Sequence, residues 1–559
     1  MPNPNAETVC KLYDQAKQLR QPHEPGWRSA AAHCLPAMYS QWLTDGPAPF
    51  NAKTEAARRV SYDTTGARSL LKYASVLHRL ITPDGQKWHG LTASDASLRN
   101  KPRVRMYFEE LTTMLFRYRY DPKARFKISM NEVYKSMGVF GNGPLYIGER
   151  KVSLHNHVAG FKYISCSMRD IFFLADDDGE ITNVFRRFWL NVRQFKAKFP
   201  GLPMPVCMQA EANKPQPDET AYFEFVHYVC RAEDYEPGAI DRRRHPWYSV
   251  YVSVKDKAFI GEETGYRSMP YKIPRTETVA GDAYGYSPAV LAIAALGTAS
   301  QIKKTVLKQG NKAVDPVILA SDDNAMNGEF DQRPGAVNYG AIDRQGRQLV
   351  KAMETGNFRV AENLLADERR DIEDSFFVTL FQILTETPEM TATEVMERTA
   401  EKAALLAPTM GRAHSELSGP SIEREIDLLA EMGKLPPMPP ELQEAEGEYE
   451  VVYTSPLAKS MYAEEVSGFM RSVEMSLNIA QATQDPGALD HYDFDVAIPE
   501  IAQHMAVPAR WMRDPEKVKA ARGGRAEQQQ ESELMKNAPA IASAAKTVSE
   551  MQAGGRRGR

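Results

Sequence analysis

The chain has 559 residues, 43% of them apolar and 25% charged, which gives room for roughly three or four folded domains with real cores. Lys plus Arg number 69 and Asp plus Glu 73, a net charge of −4. That balance excludes a protein that coats nucleic acid over its whole surface, and leaves local basic patches or a passage that DNA crosses without being gripped. Cys10, Cys34, Cys166, Cys207 and Cys230 are odd in number, far apart and free of any C-x-x-C pair. They argue against a disulfide framework and for a reducing compartment. The opening MPNPNAETVCKLYDQAKQLR lacks a signal-type apolar core, and no run of 18 uncharged apolar residues exists. No membrane span is expected, and synthesis in a cytoplasm is.

In chain order, residues 6 to 45 read as helical with an interruption around Pro22 to Gly26. Residues 51 to 81 read as one long helix, with Val60, Leu70, Leu71, Ala74, Leu77 and Leu80 on its apolar face. Thr82-Pro83-Asp84-Gly85 stops it. Further helices are predicted over about 102–119 and 128–140. After Gly141 the texture changes. PLYIGER, FKYISCS, DIFFLA, VFRRFWL, YFEFVHYVC and WYSVYVSV are short, β-branched and aromatic, and bounded by Gly, Pro and Asp, as strands are. Residues 141 to 280 thus form a β-rich insert on a helical base.

A helix is predicted over 287–310, with Pro near its start and Gly at its end. A short mixed segment follows, with VDPVILA and PGAVNYGAIDRQG, and then a helix over 361–385. Thr385-Glu386-Thr387-Pro388-Glu389 breaks the pattern. In the next helix, from 393 to about 418, Met396, Thr399, Ala403, Leu406, Met410, Ala413 and Leu417 form a packing seam, which Pro408 should kink. KLPPMPPEL (434–442) reads as a linker, 456–483 as helix, and the polar tail after 515 as disordered or marginally helical.

Catalytic chemistry is thin. No G-x-x-x-x-G-K-[ST] phosphate loop is present, since Gly433-Lys434 runs into Leu435. Gly138 to Gly143 (GVFGNG) follows a helix and precedes a strand, the reverse of a dinucleotide loop, and reads as a turn. His155 and His157 lack a third ligand at a fixed spacing. His33-Cys34 is a nucleophile pair only by adjacency, and core placement is the simpler reading. Asp176-Asp177-Asp178-Gly179 lacks the closing Glu of a calcium loop and reads as a solvated turn. Neither catalytic residues nor a metal or cofactor are expected.

The basic stripe says more. No acidic residue occurs from Tyr286 to Lys312, while Lys303, Lys304, Lys308 and Lys312 gather at the end of that helix. The bland reading is charge suited to a helix C-terminus. The functional reading is phosphate-facing charge, with Lys304, Lys308 and Lys312 on one face if the helix runs that far. The following helix is acid-rich, with Glu362, Asp367, Glu368, Asp371, Glu373 and Asp374, and carries an apolar stripe of Ile372, Phe376, Leu380 and Leu384. Two such helices suit pairing between neighbouring subunits.

Several stretches resemble the portal (head-to-tail connector) proteins of short-tailed double-stranded DNA bacteriophages. They are YDTTGARSLLKYASVLHRLITPDGQKWHGL (62–91), NEVYKSMGVFGNGPLYIGE (131–149) and GDAYGYSPAVLAIAALGTASQIKKTVLKQGNKAVDPVIL (281–319). PGAVNYG (334–340) and TATEVMERTAEKAALLAPTMGRAHSEL (391–417) are the most specific. The resemblance covers most of residues 15–460 and thins over 150–250 and in the tail.

It implies an α+β portal fold, mainly helical, with a β-rich insert in the wing and a small α/β clip, assembled as a dodecameric ring. The implied regions are a wing (1–285), a stem helix (286–312), a clip (313–360), a second stem helix (361–384), a channel loop (385–392), a long kinked wing helix (393–435), a crown (436–515) and a flexible tail (516–559). The DNA-channel candidates are then Lys303, Lys304, Lys308 and Lys312, with Thr385, Glu386, Thr387 and Glu389 at a constriction whose carboxylates would repel phosphate. The implied partners are further copies of the chain, double-stranded DNA, a terminase motor, major capsid and scaffold proteins, and tail adaptor or tail proteins, in a virion vertex. A non-channel capsid or tail adaptor is the alternative, separated from the portal by the absence of a closed ring. A hydrolase using scattered carboxylates is a third, separated by a nuclease assay with Mg²⁺ or Mn²⁺.

Overall fold

The computed structural model describes residues 3–42, 61–99, 101–152, 157–314, 316–320, 331, 333, 335–353, 358–379, 411–445, 447–454, 456–484, 486–504, 507, 511–513, 517–525 and 528. Helix and sheet are mixed, as the α+β reading expects. Three helices open the chain, Ala6–Arg20 (α1), Glu24–Cys34 (α2) and Pro36–Trp42 (α3). Asn5 caps the first by accepting from the Thr8 N–H at 2.8 Å.

Thr65–Ile81 (α4) buries Leu70, Tyr73, Ala74, Leu77 and Ile81. It is shorter than the helix expected over 51–81. Residues 61–64 are not helical, and 43–60, with Val60, lie outside the described residues. The physical reason is Asp63, whose carboxylate accepts the Thr65 N–H at 2.8 Å in a local turn that takes up the first N–H of the helix. The next elements are His89–Ala93 (β1), Pro102–Arg119 (α5) and Phe126–Phe140 (α6).

The β-rich insert is present. Leu145–Val152 (β2), His157–Ser165 (β3), Ile171–Ala175 (β4) and Ile181–Leu190 (β5) come first. Two short helices, Val192–Lys198 (α7) and Val206–Ala212 (α8), precede Phe223–Arg231 (β6) and Trp247–Ser253 (β7). Ala258–Phe259 (β8), Thr264–Tyr266 (β9) and Tyr271–Lys272 (β10) are short. The strands form two antiparallel sheets, one ordered β4-β5-β6-β7-β8 with β9 also on β7, the other β10-β2-β3.

Alternation along the larger sheet decides what covers each face. Phe185, Val226, Tyr228, Tyr248 and Val250 point to one side and take Val9, Cys10, Tyr13 and Ala16 of α1. Phe225 and Tyr251 point to the other, against Phe195 of α7 and Met208 of α8. A fully buried apolar side chain of this size contributes roughly 1.5–3 kcal/mol.

Pro288–Leu291 (α9) leads into Ile293–Val314 (α10). This helix passes Gly310 rather than ending there, so Lys312 stands on it. Ile318–Ala320 (β11) and Val350–Ala352 (β12) pair antiparallel, and Phe358–Ser375 (α11) packs on α10 and α4. After the undescribed residues 380–410, helix resumes at 411. It widens into a π-turn over His414–Ser418 and continues as Gly419–Glu431 (α12). Pro420 explains the widening: it has no N–H to donate to Glu416, and its ring crowds that carbonyl. The kink expected at Pro408 lies outside the described residues.

These elements form one compact unit, Met1–Gln86 with Arg117–Lys434. A second unit joins Lys87–Phe116 to Leu435–Arg559. It adds Pro440–Glu444 (α13), Tyr449–Tyr453 (β13), Pro456–Thr483 (α14) and Phe494–His504 (α15). Its core is the ladder of β1 on β13, from His89↔Tyr453 to Ala93↔Tyr449. Residues 517–525 are helical, and Arg522 forks onto Asp495 at 2.7 Å. No described helix is long and apolar enough to cross a membrane.

Candidate nucleic-acid interface

The two motifs before and at the start of α10 interlock and so aim the basic helix. Gly141 ends α6 with φ +73°, in the region glycine favours. A Cβ there would stand 2.2 Å from the Gly285 carbonyl oxygen. Asn142, fully buried, accepts the Gly285 N–H at 2.9 Å and donates to the Phe140 carbonyl at 2.8 Å. Ser287 caps α9 by accepting the Val290 N–H at 3.0 Å, while its hydroxyl donates to the Val139 carbonyl at 2.8 Å. The glycine-rich turn over 138–143 is therefore a latch for the α9–α10 start and not a nucleotide loop.

Along α10, Leu296, Ala299 and Ser300 are buried. At about 100° per residue, Lys303 falls on the same line as these three, one turn further out. It lies about 100° round from Lys304 and does not share its face. Lys303 and Lys304 are half-buried, and Lys308 and Lys312 exposed. The Lys304 ammonium sits 5.4 Å from the Tyr62 ring centre, a cation–π contact that leaves its charge unneutralised. Lys304, Lys308 and Lys312 advance about 40° per step and make a gently winding basic line.

The acid-rich α11 spends its charges elsewhere. Its Arg369 forks onto Asp63, at 2.6 and 3.1 Å, and Glu373 lies 3.9 Å from Lys72 of α4. Burial disfavours the Asp63 carboxylate, but hydrogen bonds from Thr65 and Arg369 outweigh this and hold its pKa below the ordinary value. Leu365, Ile372 and Phe376 are buried, with Phe376 edge-on to Tyr73 at 6.2 Å. Among the described residues no ion pair joins α10 to α11 within the chain. Leu380, Leu384 and the constriction candidates Thr385, Glu386, Thr387 and Glu389 lie outside the described residues.

The other sequence candidates resolve into structure. Cys34 is buried, its thiol pushed up to about 12 by burial, and His33 is held below its usual value by the same cause. His33 Nδ1 and Ser61 Oγ are 3.2 Å apart. The loop at 176–179 is a tight turn: Gly179 N–H reaches the Asp176 carbonyl at 3.0 Å, and the Asp176 carboxylate accepts from Glu180 N–H at 2.8 Å. His155 lies outside the described residues, among which no group of three or more metal-ligating residues forms.

Sequence reasoning missed a cluster of exposed apolar side chains around β11 and β12. Val314, Val317, Leu319, Val337, Tyr339 and Ile342 all stand in solvent, Val314 and Tyr339 at 88% and 86% exposure. The signal was the apolar content of VDPVILA and PGAVNYGAI, in a segment too short to build a core for it. Such density of open apolar surface marks an interaction site.

The chain thus combines a helical base, a β-rich insert, a basic helix and exposed apolar side chains around β11 and β12. The chain belongs to the family described as bacteriophage head to tail connecting protein, which it matches over residues 6–512. It is 26% identical over 532 residues to the probable portal protein of Bordetella phage BPP-1, across 93% of this chain and 91% of that protein. It is 26% identical over 499 residues to the portal protein of Salmonella phage epsilon15, across 88% of this chain and 86% of that one. A chain in the virion of a native gene transfer agent particle is similar at 13% identity and a TM-score of 0.32, over 78% of this chain and 93% of that one.

Proposed function

We propose that this chain is the portal subunit of a short-tailed phage: a non-enzymatic ring at one capsid vertex through which double-stranded DNA is packaged and later ejected. The observation that carries this is the match over residues 6–512 to head to tail connecting proteins, joined by near full-length similarity to two proteins named as portals. The exposed apolar side chains between Val314 and Met353 support a multi-subunit state, because a neighbour would remove them from water. In this reading the clip spans 313–360 and the stem helices are 286–312 and 361–384. The wing is 1–285 with 393–435, and 436–515 forms the crown, with the tail at 516–559. The loop 385–392 narrows the channel.

The ring, a dodecamer in this reading, docks a terminase motor during packaging, contacts major capsid and scaffold proteins, and then receives tail adaptor or tail proteins. The subunits are made in the host cytoplasm and end in the virion. Lys304, Lys308 and Lys312 recur in every copy and face the phosphate backbone without reading sequence. Electron microscopy of the purified chain, with native mass in parallel, tests the assembly. A closed ring of about a dozen copies with a central hole wide enough for duplex DNA is expected. A chain that stays monomeric at high concentration and across salt overturns the ring.

A further inference from the structure

Helix α14 is 28 residues long, roughly 42 Å at 1.5 Å per residue. Its own chain covers one side of it. Phe469 meets the rings of Tyr492 and Phe494 at 5.8 and 6.4 Å, and Ser476 shares a 3.0 Å hydrogen bond with Tyr492. None of its described side chains is buried, although Met470, Met475, Leu477 and Ile479 are 59%, 67%, 43% and 50% exposed. Burying four such side chains would outweigh the loss of their freedom, so a partner seated on them would stabilise the helix.

The exposed and half-buried small and apolar residues fall into two seams. Val466, Met470, Val473, Leu477 and Ala480 recur at alternating spacings of four and three, as do Gly468, Ser472, Met475, Ile479 and Ala482. Each is a heptad stripe. At about 100° per residue the stripes run on nearly opposite flanks, about 160° apart across the Phe469 side. The outward face between them is polar, with Ser467, Arg471, Glu474, Asn478 and Gln481. The seams are unlike in shape. The first bears large knobs at Met470 and Leu477. The second has a hollow at Gly468, where a Cβ would meet nothing within 4 Å. They are unlike in charge too, with Glu474 flanking the first and Arg471 the second.

Two different, complementary seams on opposite flanks of one helix suit a head-to-tail contact between identical copies, since each copy offers one seam to either neighbour. A peptide groove or a membrane surface would be met by a single stripe. We propose that α14 seats its Met470–Leu477 seam against the Gly468–Met475–Ile479 seam of the next copy, so that these helices form a continuous parallel belt around the ring. The belt rests on the ring reading above.

Cysteine cross-linking tests it, with the unmodified chain and its five native cysteines as background. Leu477→Cys with Met475→Cys in the same chain should, on oxidation, give a ladder of covalent multimers up to the subunit number of the ring. Either substitution alone should give none. Rings seen by microscopy with no ladder from the double variant overturn the belt while leaving the ring intact. So do dimers from Leu477→Cys alone, which would mean a symmetric contact. If no rings form at all, the ring reading itself fails.

Discussion

At the scale of single residues, the chain places charge where water cannot reach. Arg119 and Glu425, 1% and 0% exposed, are hydrogen-bonded with Arg119 Nε 3.1 Å from both carboxylate oxygens, and the Tyr163 hydroxyl adds a bond of 2.7 Å to Glu425. Removing one partner leaves a buried, uncompensated charge, which costs about 3–5 kcal/mol. Glu425→Ala should therefore lower thermal stability severely, and far more than a surface change such as Glu423→Ala, as melting curves of the two will show. A second carboxyl in this region has a different fate. Burial pushes Glu431 up to about 7, against the pull of Arg424 and with Glu149 alongside. The folded state then holds a proton that the unfolded chain releases near pH 4.3. Stability from this group is fully present below the ordinary carboxylate range and is lost as pH rises through 7. Glu431→Gln should raise the melting temperature at pH 8, with the gain shrinking toward pH 4.5. A gain that grows on acidification would contradict the assignment.

Elements are held by a few local devices. The latch between the 138–143 turn and the 281–288 turn is one. Asn142→Ala would leave the buried Gly285 N–H without its acceptor, which costs about 1–3 kcal/mol. A lower denaturation midpoint with an unchanged m-value is the expected result. Several element starts and stops were legible from local signals. Pro102, the Ser287-Pro288 pair and the Gly141 turn fall at the boundaries of α5, α9 and α6. The start of α4 was misplaced because periodicity continues upstream while the Asp63 carboxylate turns the chain at Thr65. The end of α10 was misplaced because a solvated helix tolerates Gly310, at a cost of only about 1 kcal/mol.

At the scale of the whole molecule, the proposed function depends on what many copies bring together. A line of Lys304, Lys308 and Lys312 on one subunit is a weak electrostatic feature, but a ring multiplies it around a shared axis. The triple change to Ala should leave rings intact by microscopy and alter DNA packaging or genome retention. The salt dependence of DNA association should also become shallower, because fewer counterions are released. Loss of rings, with normal packaging in those that survive, would instead place these lysines at subunit contacts.

The sequence by itself determined the alternation that makes the β-rich insert, the 3.6-residue periodicity of α5, α6 and α14, the turn chemistry and the family motifs. All of these depend on neighbours within a few positions along the chain. Only the tertiary structure decided that His89–Ala93 pairs with Tyr449–Tyr453, that Asp63 meets Arg369, and that Arg119 finds Glu425. It also decided that the flanks of α14 stay uncovered. Those outcomes join residues hundreds of positions apart or turn on which faces are left without a partner. Local sequence carries no record of either, because burial is a property of the packed chain rather than of any segment.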